Sequence, residues 1–97
     1  MLLNKPFSDG DVISMKLISG EEVVARFRGE TPDTITLEKP MSLVNTPQGI
    51  GLIPYMFTVD DSAELVIGRS VIMVCVVTRK ETANDYLQRT TGLQMVS

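Results

Sequence analysis

The sequence contains no histidine, no tryptophan and only one cysteine, and 5% of its 97 residues are aromatic. Histidine is the commonest general base and metal ligand, so its absence removes the usual starting point for acid–base catalysis. A lone cysteine excludes a disulfide within the monomer, and no Cys/His cluster can form a zinc site. The core must therefore be built mostly from Val, Ile, Leu and Met.

The chain also lacks an excess of positive charge. Lys and Arg number 9 against 12 Asp and Glu, which gives a net charge of −3 and a pI near 4.8. No global basic field therefore draws the protein onto a nucleic-acid backbone, and a binder of the basic-arm type is excluded. Any nucleic-acid contact must come from a local Lys and Arg cluster, or from stacking and hydrogen bonds in a pocket.

No long apolar run opens the chain. The first ten residues, MLLNKPFSDG, have a short apolar start that Asn4 and Pro6 interrupt. We therefore expect neither a signal peptide nor a membrane span, and we predict a cytoplasmic protein without a membrane partner. The length of 97 residues predicts one domain, over residues 1–97, with a modest core.

Three short runs between residues 12 and 43 alternate apolar and polar side chains with a period of two. This pattern predicts a bent antiparallel meander of three strands. Residues 19–21 (SGE) and 31–33 (TPD) separate the runs and have the composition of tight turns. A fourth strand is predicted at residues 50–57 and a fifth at 71–78, with brief further pairing from Glu64.

The apolar period changes to that of a helix near the end of the sequence. Apolar or small side chains recur at helical spacing at Ala83, Tyr86 and Leu87, and Asp85 and Arg89 can form an i,i+4 ion pair. Gly92 stands where a left-handed cap would end the helix. We predict a helix at about residues 79–91, after a β domain at about 12–78.

The last two predicted strands are apolar on both faces, since residues 50–57 and 71–77 lack alternating polar positions. Exposing such side chains would forfeit roughly 1.5–3 kcal/mol each. We therefore expect a second copy of the chain to cover them, although a tightly closed barrel could also hold both faces inside. The same run makes Cys75 a buried, inert thiol rather than a nucleophile. The predicted interface residues are Ile53, Tyr55, Phe57, Ile72, Val74 and Val76.

Over residues 12–77 the sequence resembles the Sm-like family. The residues at the spacing of the family's first motif are Leu17, Gly20, Val23, Phe27 and Gly29, followed by the run DTITL at 33–37. The run IGRSV at 67–71 resembles the second motif, with its Arg and Gly exchanged. Three further runs resemble Sm-like proteins of cyanophages: KPM at 39–41, PYMF at 54–57 and TRKE at 78–81.

This resemblance implies a small, five-stranded, strongly bent Sm-like (SH3-like) barrel. It also implies a homo-oligomeric ring, pentamer to heptamer, in which the fourth strand of one subunit pairs with the fifth strand of the next. The ring would bind short single-stranded RNA at its pore, in RNA processing or regulation. The bases would be recognised by stacking and edge contacts from the turns that contain Asp33, Thr34, Gly68 and Arg69. The residues themselves, which include no His, no Cys or His cluster with metal spacing and no Gly-rich phosphate loop, predict no cofactor, no metal and no catalytic residue. A phage-encoded protein of this kind would act in the host cytoplasm.

Two other interpretations stay open. One is a protein-interaction or assembly ring without nucleic acid, in which Arg69 is a solvated turn residue and Thr34 simply begins a strand. The acidic pair Asp60-Asp61 favours it, and so does Thr34 at the position where the family has a base-binding Asn. The other is an enzyme, which is the weakest because adjacent carboxylates such as Glu21-Glu22 are typical of solvated turns. We therefore predict a protein that is not an enzyme.

Overall fold

A computed structural model describes residues 7–91 of the chain. These residues form one antiparallel sheet of six strands and a C-terminal helix, so the predicted mainly β fold is confirmed. The predicted cap at Gly92 lies outside the described residues. The elements are β1 (Val12–Leu17), β2 (Glu22–Glu30), β3 (Thr34–Thr46), β4 (Gly49–Pro54), β5 (Glu64–Gly68), a single 3-10 turn (Arg69–Val71), β6 (Ile72–Val77) and α1 (Lys80–Thr91).

The first three strands form the predicted meander, and the two turns that join them have the expected chemistry. Gly20 has a positive φ of 97°, which suits glycine, and its amide donates to the Leu17 carbonyl over 2.9 Å. In the second turn the Thr31 amide donates to the Thr34 carbonyl, also over 2.9 Å. Both hairpins are therefore closed by short local hydrogen bonds.

β3 is the strand that organises the sheet, because it takes two partners along one edge. Its first part, Thr34 to Glu38, pairs with β5, and its second part, Met41 to Thr46, pairs with β4. Between the two parts Lys39 has a φ of 50°, which is uncommon for a residue with a side chain. The strand bends at Lys39 and passes from one partner to the other.

Two details of the predicted strands are wrong. The sheet has six strands rather than five, because residues 64–68 form a full strand beside β3. The predicted strand at 50–57 ends at Pro54, whose nitrogen has no hydrogen to donate to a ladder. Beyond it Tyr55 packs against the core, whereas Phe57 is 75% exposed.

The sheet is open in the chain taken alone. Its strand order is β4-β3-β2-β1-β6, with β5 beside β3, and within residues 7–91 β6 pairs only with β1. One end of the sheet is therefore formed by β4 and β5, and the other end by β6. The structure therefore does not show the predicted barrel closed within one chain.

Apolar side chains are buried on both faces of the sheet. Alternate residues of β1, β2 and β3 form the main core on one face, since successive residues of a strand point to opposite sides. On the other face Val12 and Val24 pack against Tyr86 of α1, with Met41 and Leu43 at the margin. The main core contains Ile13, Met15, Leu17, Val23, Ala25, Phe27, Ile35 and Leu37.

Tyr86 connects the helix to the bend in β3. Its side chain is fully buried, and its hydroxyl lies 3.0 Å from the Glu38 carbonyl oxygen and 2.8 Å from that of Lys39. Burial raises the pKa of the Tyr86 phenol well above its ordinary value, and the charge of Arg26 opposes part of that rise. The phenol therefore stays protonated, and its single proton is shared between the carbonyl oxygens of Glu38 and Lys39.

We predict that Tyr86→Phe lowers the free energy of unfolding by about 1–3 kcal/mol, because the Glu38 and Lys39 carbonyls lose the phenol proton that they share while the ring stays in place. Urea denaturation followed by circular dichroism measures this loss. Tyr55→Phe is the matched control and should change stability by less than about 0.5 kcal/mol. Equal losses for the two variants would show that the Tyr86 hydroxyl has no special role.

Candidate functional site

The pairing of β3 with β5 brings the four predicted site residues together. Thr34 lies directly opposite Gly68 in the ladder, and the Arg69 amide donates to the Asp33 carbonyl over 2.8 Å. The turn that precedes β3 and the turn that follows β5 therefore form one surface. We call this surface, which comprises residues 30–34 and 68–69, the turn site.

Arg69 is the cation of the turn site, and its guanidinium already has partners in the chain. It forms an ion pair with the Glu30 carboxylate, and its Nε donates to the Thr31 carbonyl over 3.1 Å. Both side chains are partly exposed, so water screens the pair and limits its effect on stability. The pair still offsets the positive charge that Arg69 would present to a phosphate.

The hydroxyl groups of Thr31 and Thr34 lie 2.8 Å apart in the same turn. The Thr31 hydroxyl also accepts hydrogen bonds from the backbone amides of Asp33 and Thr34, over 3.2 and 3.0 Å. This arrangement fixes the turn around Pro32 and orients the Thr34 side chain. The Thr34 hydroxyl has capacity left for further hydrogen bonds, but it cannot offer the side-by-side donor and acceptor of an amide.

The chemical groups of the turn site suit hydrogen bonding rather than catalysis or stacking. It offers two hydroxyls, two carboxylates and one guanidinium, and none of its residues is aromatic. Polar groups of this kind can contact the exposed edges of unpaired bases. Base stacking, which we expected from these turns, has no aromatic ring within the turn site, and the Arg69 guanidinium is the flat group there on which a base could stack.

Glu30, Thr31 and Pro32 are the members of the turn site that were not among the predicted site residues, and Glu30 and Thr31 are the two whose side chains or carbonyls contact Arg69. Glu30 ends β2, and it reaches Arg69 only because the β2–β3 turn and the end of β5 are adjacent. Glu30 and Arg69 stand 39 positions apart in the chain, so no local sequence pattern relates them. The one available signal was the position of Glu30 and Thr31 immediately before Pro32.

Cys75 lies close enough to the turn site for its charges to act on the thiol. It pairs with Met15 across β6 and β1 and is half-buried. Burial raises the pKa of Cys75 to about 11, Arg69 acts to lower it and Glu30 acts to raise it. Since the thiolate is the reactive form, this environment supports the expected inert thiol.

The predicted interface residues fall into two groups. Val74 and Val76 of β6 are about half exposed, and Ile53 of β4 is exposed as well. Tyr55 and Ile72, in contrast, pack against the main core of the same chain. Phe57 is exposed but lies beyond the end of β4. The apolar surface available to a partner is therefore concentrated on β6.

No protein-family model matches the chain, and no curated protein matches it significantly. Within residues 7–91 no helix is long and apolar enough to cross a membrane. Over the same residues, no three or more Cys, Asp or Glu side chains are grouped so that they could hold a metal ion.

We predict that iodoacetamide alkylates Cys75 about 100-fold more slowly near neutral pH than an ordinary thiol, because a pKa raised by about two units leaves a hundredth of the thiolate. The alkylation rate should keep rising until about pH 11, as the folded-state pKa requires. The control is Ile18→Cys in a Cys75→Ser background, since residue 18 is 63% exposed in the β1–β2 turn, outside the edge strands. Similar rates at positions 18 and 75 would contradict the prediction.

Proposed function

We propose that the chain is the subunit of an Sm-like homo-oligomeric ring that binds short single-stranded RNA at the turn site. The observation that carries the proposal is the direct pairing of Thr34 with Gly68 in the ladder between β3 and β5. The two segments that resemble the Sm motifs lie far apart in the sequence, and their key residues meet on one exposed surface. Such a surface, repeated in every subunit, would line a pore.

The two ends of the open sheet support assembly. At one end β6 exposes Met73, Val74, Val76 and Val77, and at the other end Val66 of β5 is 63% exposed. Strand edges with unpaired backbone groups readily pair with another chain, and burial of each such side chain contributes roughly 1.5–3 kcal/mol. Because the two ends differ, copies would join head to tail, which is the arrangement that generates rings.

The charges of the turn site determine the kind of RNA binding that we propose. Each subunit brings Arg69 to the pore together with Glu30 and Asp33, so attraction to phosphates stays small. Contacts to base edges from the Thr34 hydroxyl and from the guanidinium would then carry most of the affinity. Such binding is weak, depends little on salt and requires unpaired bases.

A second candidate function is an assembly ring that binds no nucleic acid. The ion pair between Glu30 and Arg69 favours this function, because it compensates the positive charge of the turn site that an RNA phosphate would otherwise contact. The two functions share the same subunit contacts and differ only in what the turn site does. RNA titration therefore discriminates between them, whereas a measurement of oligomer mass tests both.

We predict that the protein has a mass in solution several times the 10.7 kDa of one chain, and that Val74→Asp reduces it to that of one chain. Val74 is 51% exposed in the single chain, so a carboxylate there should leave the fold intact and disrupt only the contact between copies. Light scattering gives the mass, and circular dichroism checks the fold. Val66→Asp, at the opposite end of the sheet, should have the same effect.

Ile18→Asp is the matched control for the mass measurement, because Ile18 is an exposed apolar residue in the β1–β2 turn rather than within an edge strand. Its mass should equal that of the unmodified protein. If the unmodified protein has the 10.7 kDa mass of a single chain throughout the micromolar concentration range, both ring proposals are wrong.

We predict that Glu30→Gln strengthens binding of short U-rich or A-rich RNA and makes it more sensitive to salt, because the substitution frees the Arg69 guanidinium for a phosphate. Arg69→Ala should have the opposite effect on the salt dependence. Fluorescence anisotropy over a series of salt concentrations measures both. Lys16→Ala, on β1 and outside the turn site, is the control and should leave the salt dependence unchanged.

A further substitution tests base recognition itself. Thr34→Asn restores a side chain that can both donate and accept, and it should tighten binding by about 1 kcal/mol or more. If the unmodified protein and all three turn-site variants leave the anisotropy of both RNAs unchanged, the assembly ring without nucleic acid is the better proposal.

A further inference from the structure

Two glutamates stand directly opposite each other where β5 begins. Glu38 of β3 and Glu64, the first residue of β5, are partners in the ladder, so their side chains lie on the same face of the sheet. Like charges at directly opposed positions of an antiparallel pair destabilise the pairing. The two strands therefore tend to separate at this end of the ladder unless another group compensates the carboxylates.

The compensating group is the Arg28 guanidinium of β2. It lies 3.7 Å from the Glu38 carboxylate and 3.8 Å from the Glu64 carboxylate, and it is 3.3 Å from the carboxylate of Asp9. One cation therefore contacts three carboxylates, which come from β3, from β5 and from the segment before β1. Within residues 7–91 no other Lys or Arg side chain forms an ion pair with Glu38 or Glu64.

A β-bulge gives Arg28 this position. Phe27 pairs with Leu37 and Gly29 pairs with Thr36, so Arg28 is the extra residue of β2 and has no partner of its own in the ladder with β3. Bulges of this kind redirect a side chain and are common beside functional sites. The Arg28 and Glu38 side chains are 34% and 23% exposed, so water screens their contact less than that of a fully exposed pair.

Few other contacts hold β5 in place. The strand is five residues long, and within the described chain it pairs only with β3. Its two inward side chains, Leu65 and Ile67, line a cavity of about 10 Å³ beside the main core, so some of their dispersion contacts are missing. The residue after β5 is Arg69, whose amide donates to the Asp33 carbonyl. A shift of β5 would therefore move the turn site.

We propose that Arg28 is a positioning residue for the turn site, although it does not belong to that surface. By compensating Glu38 and Glu64 together, the guanidinium keeps the start of β5 paired with β3, and the other end of the same strand then stays in register at the turn site. The planar fork of arginine suits several carboxylates at once, which a lysine cannot match. The effect on RNA binding rests on the proposed function, whereas the effect on β5 does not.

Amide hydrogen exchange, followed by mass spectrometry, tests the effect on β5 directly. Arg28→Gln should accelerate exchange several-fold at residues 64–68 and leave residues 12–17 of β1 unchanged, because the two glutamates are then opposed without a cation. Arg28→Gln with Glu64→Gln removes one of the like charges and should restore the rate of the unmodified chain. Arg28→Gln with Glu81→Gln is the matched control. It has the same net charge, but Glu81 lies in α1, so β5 should exchange as fast as in Arg28→Gln alone.

Two results of the exchange measurement would overturn the proposal. One is a rate at residues 64–68 that Arg28→Gln leaves unchanged or raises no more than the rate in β1. The other is equal exchange of β5 in the two double variants, because net charge rather than the opposition of Glu38 and Glu64 would then be the cause.

Titration with short U-rich or A-rich RNA tests the effect on the turn site separately. Arg28→Gln should weaken binding several-fold, and of the two double variants only the one with Glu64→Gln should restore it. An affinity that Arg28→Gln leaves unchanged, despite faster exchange in β5, would overturn the positioning role at the turn site. If the unmodified protein binds neither RNA, the proposed function is wrong, and hydrogen exchange still decides whether Arg28 holds β5.

Discussion

The hydrogen bond that the Tyr86 hydroxyl shares between the carbonyls of Glu38 and Lys39 is the contact on which the arrangement of this sheet depends. Lys39 holds a backbone conformation that is costly for a residue with a side chain, and such conformations persist only where the surroundings fix them. A buried phenol that stays protonated supplies that constraint from the helix. The bend lets β3 pair with both β4 and β5, and the pairing with β5 in turn creates the turn site.

The regular parts of the fold could be predicted because their residues follow simple periods. Alternation identified the first three strands, and helical spacing placed α1 within one residue of its observed start. The length of β3 could not be predicted in the same way, because Lys39 and Pro40 resemble the end of a strand. β5 was hard to recognise because only Leu65 and Ile67 contact the interior, while Val66 faces outward and an acidic loop precedes it.

In the candidate site, the positions of the residues could be predicted from the sequence, but their charge environment could not. Asp33, Thr34, Gly68 and Arg69 were singled out by their positions in two short motifs, and the structure brings them together. The electrostatics of these residues could not be predicted from the sequence, because the ion pair between Arg69 and Glu30 depends on how two distant turns meet. A motif can therefore indicate which side chains share a surface. It cannot indicate whether a charge on that surface is already compensated.

The open sheet has a geometric consequence for the proposed assembly. When unlike edges join head to tail, the angle between them sets how far each copy rotates relative to the last, and a ring closes only when a whole number of steps completes one full turn. On the proposal of a ring, the conformation of Lys39 would contribute to that angle, since β4 and β5 both pair with β3 on either side of this residue. One unusual backbone conformation within the subunit would then influence the number of copies, together with the surfaces that touch.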